Sequence, residues 1–171
     1  VSNTRASLRL NVGFIRNQSV GYSRDFPIDL PSVFLKPDLK LYNLVGNALV
    51  TRTAHGLLVQ AKLSAQVSAE CARCLNDFSQ PLEAEFTELY AFTPNSATES
   101  GLLLPETGII DIGPIVREEM LLAIPISPIC SPDCKGLCPV CGENLNETVC
   151  NHEDESFDPR LSVLKTLLDT D

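Results

Sequence analysis

Seven cysteines in a chain of 171 residues, five of them crowded into one stretch, limit what this sequence can fold into. Cys130, Cys134, Cys138, Cys141 and Cys150 lie with His152 in a run punctuated by Gly and Pro, and Cys71 and Cys74 form a CxxC pair far upstream. Thiolates and imidazoles close tetrahedra around Zn2+, and two cysteines separated by two residues can grip one ion from a tight turn. Cys138-Pro139-Val140-Cys141-Gly142 has that form, with a glycine where the chain must turn through positive φ. Eight soft ligands suffice for two four-coordinate sites, and saturation by protein groups marks such ions as structural. A disulfide framework leaves one of the seven cysteines unpaired, and nothing in the sequence points to secretion. A thioredoxin-like centre needs its CxxC at a strand-to-helix junction in a βαβ pattern, which is missing. The expectation is two structural Zn2+ ions held by Cys71, Cys74, Cys130, Cys134, Cys138, Cys141, Cys150 and His152.

The chain is long enough for one real core plus a small metal-bound segment. No apolar run reaches the roughly 18 residues of a membrane span. The first residues lack a charged-then-apolar secretory signal. Many thiols without secretion point to a reducing compartment, the cytoplasm or an organelle matrix. The formal net charge of -9 argues against nucleic acid until its distribution is considered. Residues 1–69 carry eight basic and three acidic side chains, net +5, whereas residues 70–171 carry five basic and nineteen acidic, net -14. One molecule thus offers a basic part and an acidic part.

Along the chain, Leu8, Leu10, Val12 and Phe14 alternate with polar residues over Ser7 to Phe14, the pattern of a half-buried strand. Val20 to Ile28 reads as its continuation in a partner strand, and Pro27, Pro31 and Pro37 make Pro27 to Lys40 a loop. Leu41 to Arg52 and Leu57 to Glu70 form a hairpin turned at Thr53-Ala54-His55-Gly56, where His55 is a turn residue. Leu57, Val59, Ala61, Leu63 and Ala65 share one face of its second strand. That strand runs into Cys71, and Leu82, Ala84 and Phe86 alternate in a returning strand, so the upstream CxxC sits at a hairpin end. Thr93 to Gly108 has no period and reads as a loop.

Asp111 to Ile124 reads as a helix with Asp111 as cap, Pro114 in the first turn and Ile112, Val116, Met120 and Ala123/Ile124 in a stripe. Glu118 and Glu119 are adjacent, do not converge on one point, and belong to a solvated face. Asp158-Pro159 opens a closing helix with Leu161, Leu164 and Leu168 in line. The fold class expected is α+β: an antiparallel sheet or partial barrel, two helices and a cysteine-rich zinc-binding loop. The division expected is a β-rich domain, 1–125, and a metal-binding segment with the closing helix, 126–171, packed as one unit with the first.

Cys71-Ala72-Arg73-Cys74-Leu75 at a strand end, Ile110-Asp111 opening a helix, Cys134-Lys135-Gly136-Leu137-Cys138-Pro139-Val140-Cys141-Gly142, Asn144-Leu145-Asn146 and Asp158-Pro159-Arg160-Leu161 resemble the YceD family, the large ribosomal RNA subunit accumulation proteins. The resemblance covers most of the chain from about Leu41. Where many members carry C-x-C, this chain has Cys150-Asn151-His152. One division of the ligands puts Cys71, Cys74, Cys130 and Cys134 on one ion and Cys138, Cys141, Cys150 and His152 on the other. The rival joins the two CxxC pairs and leaves Cys130, Cys134, Cys150 and His152 together.

The resemblance implies a non-enzymatic role in accumulation or maturation of large-subunit (23S) rRNA in the cytoplasm. On that footing Arg5, Arg9, Arg16, Arg24, Lys36 and Lys40 are the candidate contacts to precursor rRNA. The acidic, metal-bearing part is the candidate seat for a small basic ribosomal protein. No membrane and no small-molecule substrate is expected. Two other classes stay open, a zinc hydrolase or nuclease with an open coordination position and a thiol redox or zinc-handling protein.

Overall fold

The alternation read at residues 57–65 becomes one of four long strands in a computed structural model that describes residues 8–151. Strand β1 (Arg9–Asn11) leads through a short 3-10 turn (Gly13–Asn17) to β2 (Ser23–Leu35), β3 (Leu39–Arg52), β4 (Gly56–Glu70) and β5 (Asp77–Ala91). A short 3-10 turn (Pro94–Ser96), β6 (Ile109–Asp111) and helix α1 (Gly113–Ala123) follow. Strands β2-β3-β4-β5 form an antiparallel meander, and β1 pairs antiparallel with β6 in a separate ribbon. The meander is open, with β2 and β5 as edges, so the expected partial barrel gives way to an open sheet. Among the described residues there is one α-helix; the expected second one, from Asp158, lies outside them.

The chain divides into two compact units, Val1–Ala72 with Asn76–Cys130, and Arg73–Leu75 with Ser131–Asp171. In the first unit one face of the meander is dry. Leu57, Val59, Ala61, Leu63 and Ala65 of β4 and Leu82, Ala84 and Phe86 of β5 are all buried, as their alternation requires. Ile112, Val116 and Met120 of the α1 stripe, Leu8, Leu10, Val12 and Ile15 around β1, and Ile110 of β6 complete this core. The turn between β3 and β4 closes as expected: Thr53 N–H donates to Gly56 O at 2.9 Å and Gly56 N–H to Thr53 Oγ1 at 3.1 Å. His55 is exposed in it.

Five further expectations are corrected. Val20 to Ile28 does not partner the first strand, since β2 pairs with β3 and β1 with β6. Pro27 and Pro31 lie within β2 instead of a loop, because β2 is an edge strand and a residue without N–H forfeits no inner ladder bond there. The period of two over Ser7 to Phe14 stops at Gly13, where the 3-10 turn rotates Phe14 to solvent and buries Ile15. Ile110 and Asp111 belong to β6, which the sequence pattern did not reveal. The helix therefore starts at Gly113, and Asp111 accepts a hydrogen bond from Gly113 N–H at 2.9 Å two residues ahead of it, not as its cap.

A further feature is a change of phase inside β3. Leu39 and Leu41 face the core, and after Asn43, which takes φ 49°, Leu44, Ala48 and Val50 do so. The register with β4 slips between Tyr42 and Val45. One extra residue on one strand turns every later side chain over.

Candidate metal centre

Where β4 ends, Cys71 N–H donates to Asn76 O at 2.9 Å, closing the Cys71-Ala72-Arg73-Cys74 turn before β5 begins. Leu75 in this turn takes φ 61°. Ala72 N–H binds Pro128 O at 2.8 Å, which draws the segment after α1 alongside, and Cys130 N–H donates to Cys71 Sγ at 3.4 Å. An N–H aimed at sulfur stabilises the thiolate, the form a metal requires.

In the second unit Arg73 anchors the cysteine loop. Its guanidinium donates to Cys134 O at 2.9 Å, and its carbonyl accepts Leu137 N–H at 3.1 Å. Gly136 takes φ 78°, and a Cβ there would lie 3.1 Å from Arg73 O, so two constraints favour glycine at this position of Cys134-Lys135-Gly136-Leu137-Cys138. Asn146 spans the loop: Lys135 N–H donates to its Oδ1 at 2.9 Å, and its Nδ2 donates to Cys134 Sγ at 3.4 Å. Asn144 Oδ1 in turn accepts Asn146 N–H at 3.0 Å and Asn146 Nδ2 at 2.8 Å. The Asn144-Leu145-Asn146 run thus orients a sulfur through hydrogen bonds, a role not read from its polarity. Gly142 takes φ 76°, the turn expected behind the second cysteine of the knuckle.

The thiols fall into two groups. The sulfurs of Cys71, Cys74, Cys130 and Cys134 lie within 4.8 Å of one another, as do those of Cys138, Cys141 and Cys150. The cysteines group as in the first division given above; His152, the fourth ligand expected in the second set, lies outside the described residues. None of the seven cysteines is in a disulfide. With Zn–S bonds of about 2.3 Å, a tetrahedron has S···S edges of about 3.8 Å. Both groups could hold a metal ion. The chemistry of the donors fits a borderline-soft ion such as Zn2+.

In the second group the backbone N–H groups of Cys141 and then Val140 turn toward Cys138 and hold its thiol below the usual 9.0. The hydrogen bond with Cys141 pushes Cys150 up to about 11, and burial adds to it. Cys141 Sγ and Cys150 Sγ are 3.5 Å apart. The backbone donors thus favour the thiolate at Cys138 over that at Cys150.

The described candidate RNA contacts are spread along the first unit. Arg9 and Arg16 are exposed around β1, Arg24 lies near the start of β2, and Lys36 and Lys40 flank the β2–β3 turn. A strand rising about 3.3 Å per residue carries Arg24 far from Lys36. Arg5 lies outside the described residues. Composition did not single out Arg52, whose guanidinium lies 4.4 Å over the Phe92 ring and whose Nε donates to Arg16 O at 3.1 Å.

The model of the family described as large ribosomal RNA subunit accumulation protein YceD matches residues 59–168. The chain belongs to the YceD family. The YceD match takes in all seven cysteines and starts after the six candidate RNA contacts. An uncharacterized protein of Mycobacterium tuberculosis is 37% identical over 126 residues, 70% of this chain and 59% of its own length. Uncharacterized protein YlbN of Bacillus subtilis is 36% identical over 113 residues, 64% of each chain. Large ribosomal RNA subunit accumulation protein YCED homolog 1, chloroplastic, of Arabidopsis thaliana is 39% identical over 59 residues, 32% of this chain and 18% of its own length. This YceD-family chain thus spans about three fifths of the mycobacterial relative. No solved structure matches it. Among the described residues no helix is long and apolar enough to cross a membrane.

Proposed function

We propose that this YceD-family chain is a non-catalytic, cytoplasmic factor that promotes accumulation of large-subunit (23S) rRNA. Its contacts are rRNA through the basic residues of the first unit and a small basic ribosomal protein through the acidic remainder. Cys71, Cys74, Cys130 and Cys134 hold one structural Zn2+, and Cys138, Cys141, Cys150 and His152 hold another. The observation that carries the reading is the family match, together with the plant relatives named for large ribosomal RNA subunit accumulation. Support for structural metal comes from burial in the second unit. Its described buried residues are Cys74, Cys134, Gly136 and Cys138, which is no apolar core. A segment of that kind needs another source of folding free energy, and zinc binding can supply about 10 kcal/mol or more.

Crosslinking in cells, followed by sequencing of the bound RNA and mapping of the peptide, tests the rRNA assignment. Contacts from residues 8–69 to large-subunit precursor are expected. Their absence, or contacts from the cysteine segment alone, overturns it. A second reading, a zinc hydrolase, draws on the three-cysteine group: its described residues supply three ligands, and the reading needs water in place of His152 at the fourth position. Two zinc ions per chain with no exchangeable water ligand exclude that reading.

A further inference from the structure

The outer face of the meander carries a feature that the cysteines do not explain. Phe34 and Tyr42 are 45% and 37% exposed near the β2–β3 turn. In the register Phe34 stands opposite Lys40 and Tyr42 opposite Ser32, so the two rings are diagonal neighbours on one face. The Lys40 ammonium sits 4.8 Å from the centre of the Tyr42 ring. Lys36 is exposed in the turn beside them. Single exposed apolar residues are ordinary, but two aromatic rings interleaved with two cations on a solvent-facing sheet are a specific chemical surface.

The local charge favours an anion. Asp38, between the two lysines, accepts both Nε (3.0 Å) and Nη2 (2.7 Å) of Arg117, so its carboxylate is already matched. Asp25 and Asp29, the other acids on this strand, lie beyond Pro31 and Asn43, where the phase of the sheet changes. Beside Tyr42, its β4 partner Gln66 takes hydrogen bonds on its side-chain oxygen from Asn43 Nδ2 at 3.3 Å and Ser79 Oγ at 3.2 Å. A rim of amides and hydroxyls therefore borders the aromatic pair.

We infer that Phe34 and Tyr42 form a stacking platform for two unpaired bases of single-stranded RNA, with Lys36 and Lys40 on the flanking phosphates. A duplex keeps its bases inside and has no free face to offer these rings, whereas a single strand presents both bases and backbone. The inference rests on the rRNA reading and narrows it to unpaired segments.

The test is fluorescence anisotropy of a labelled single-stranded RNA of about ten nucleotides, and of the same strand annealed to its complement, with the full chain. The wild type is expected to prefer the single strand. Phe34→Ala and Tyr42→Ala should each weaken binding about five-fold or more, while Phe34→Tyr and Tyr42→Phe retain it. Lys40→Ala should lower the slope of log K against log salt by about 0.7. Equal affinity for duplex and single strand, or alanine variants that bind like the wild type, overturns the platform. If an alanine variant fails to fold, crosslinking of 4-thiouridine RNA to the wild type decides. Adducts at Phe34 or Tyr42 support the platform, and adducts confined to other peptides overturn it. In that last case rRNA crosslinks recovered from cells leave the broader reading standing; their loss removes both.

Discussion

Tyr90 shows how one buried group sets a pH limit. Its side chain is 5% exposed, its hydroxyl donates to Asp111 O at 3.5 Å, and burial, followed by the charges of Asp111 and Glu88, pushes its pKa from 10.0 up to about 12. A folded pKa raised above the unfolded one gives stability that is complete below pH 10 and is lost as pH rises toward 12. The loss over that window is about 2 kcal/mol. Urea unfolding at pH 9 and pH 11.5 checks it, since Tyr90→Phe should lack this component. At the same scale, Asn146 acts through a sulfur. Asn146→Ala removes the donor to Cys134 Sγ and the acceptor for Lys135 N–H. A lost partner of a metal ligand typically costs 10- to 100-fold in affinity, so zinc should pass to a competing chelator about ten times more readily. The cysteines were legible because few residue types ligate zinc. Arg73 and Asn146 were not, because their task is to meet a carbonyl and a sulfur that only the folded chain brings near.

At the scale of elements, β4 and β5 were legible because one face of each is buried against the core and the other is wet, which writes a period of two into the sequence. Strand β6 has three residues and no period to read. Strand β2 hid behind its prolines, and β3 hid its phase. Unbroken alternation from Leu41 buries Val45 and exposes Leu44, whereas Leu44 is 0% exposed and Val45 41%. Leu44→Ala should therefore cost about 2–5 kcal/mol, the range for a buried leucine truncated to a methyl group. Val45→Ala should cost about 0.5 kcal/mol or less, as surface substitutions do. Denaturant titration of the pair distinguishes the observed phase from the unbroken one; a reversed order places the slip elsewhere.

Across the whole molecule the two units differ in what can hold them. The first has a continuous core built from the inner face of the meander, β1, β6 and α1. Among its described residues the second has sulfur, glycine and hydrogen bonds to carbonyls in place of apolar packing. If zinc fills both thiol groups, removing it should act unequally on them. A strong chelator added to the native chain should open residues 131–151 to trypsin at Lys135, while far-UV circular dichroism of the meander persists. Re-addition of Zn2+ should restore protection, because ligand binding and folding of such a segment are one equilibrium. Since a metal must displace protons from the thiols, the zinc concentration needed should rise as pH falls. Cys150, pushed up to about 11, carries a proton over the whole neutral range and so contributes to that dependence throughout it. Resistance of the Lys135 bond to trypsin in fully metal-free protein contradicts the account, since the described residues of the second unit supply no apolar core.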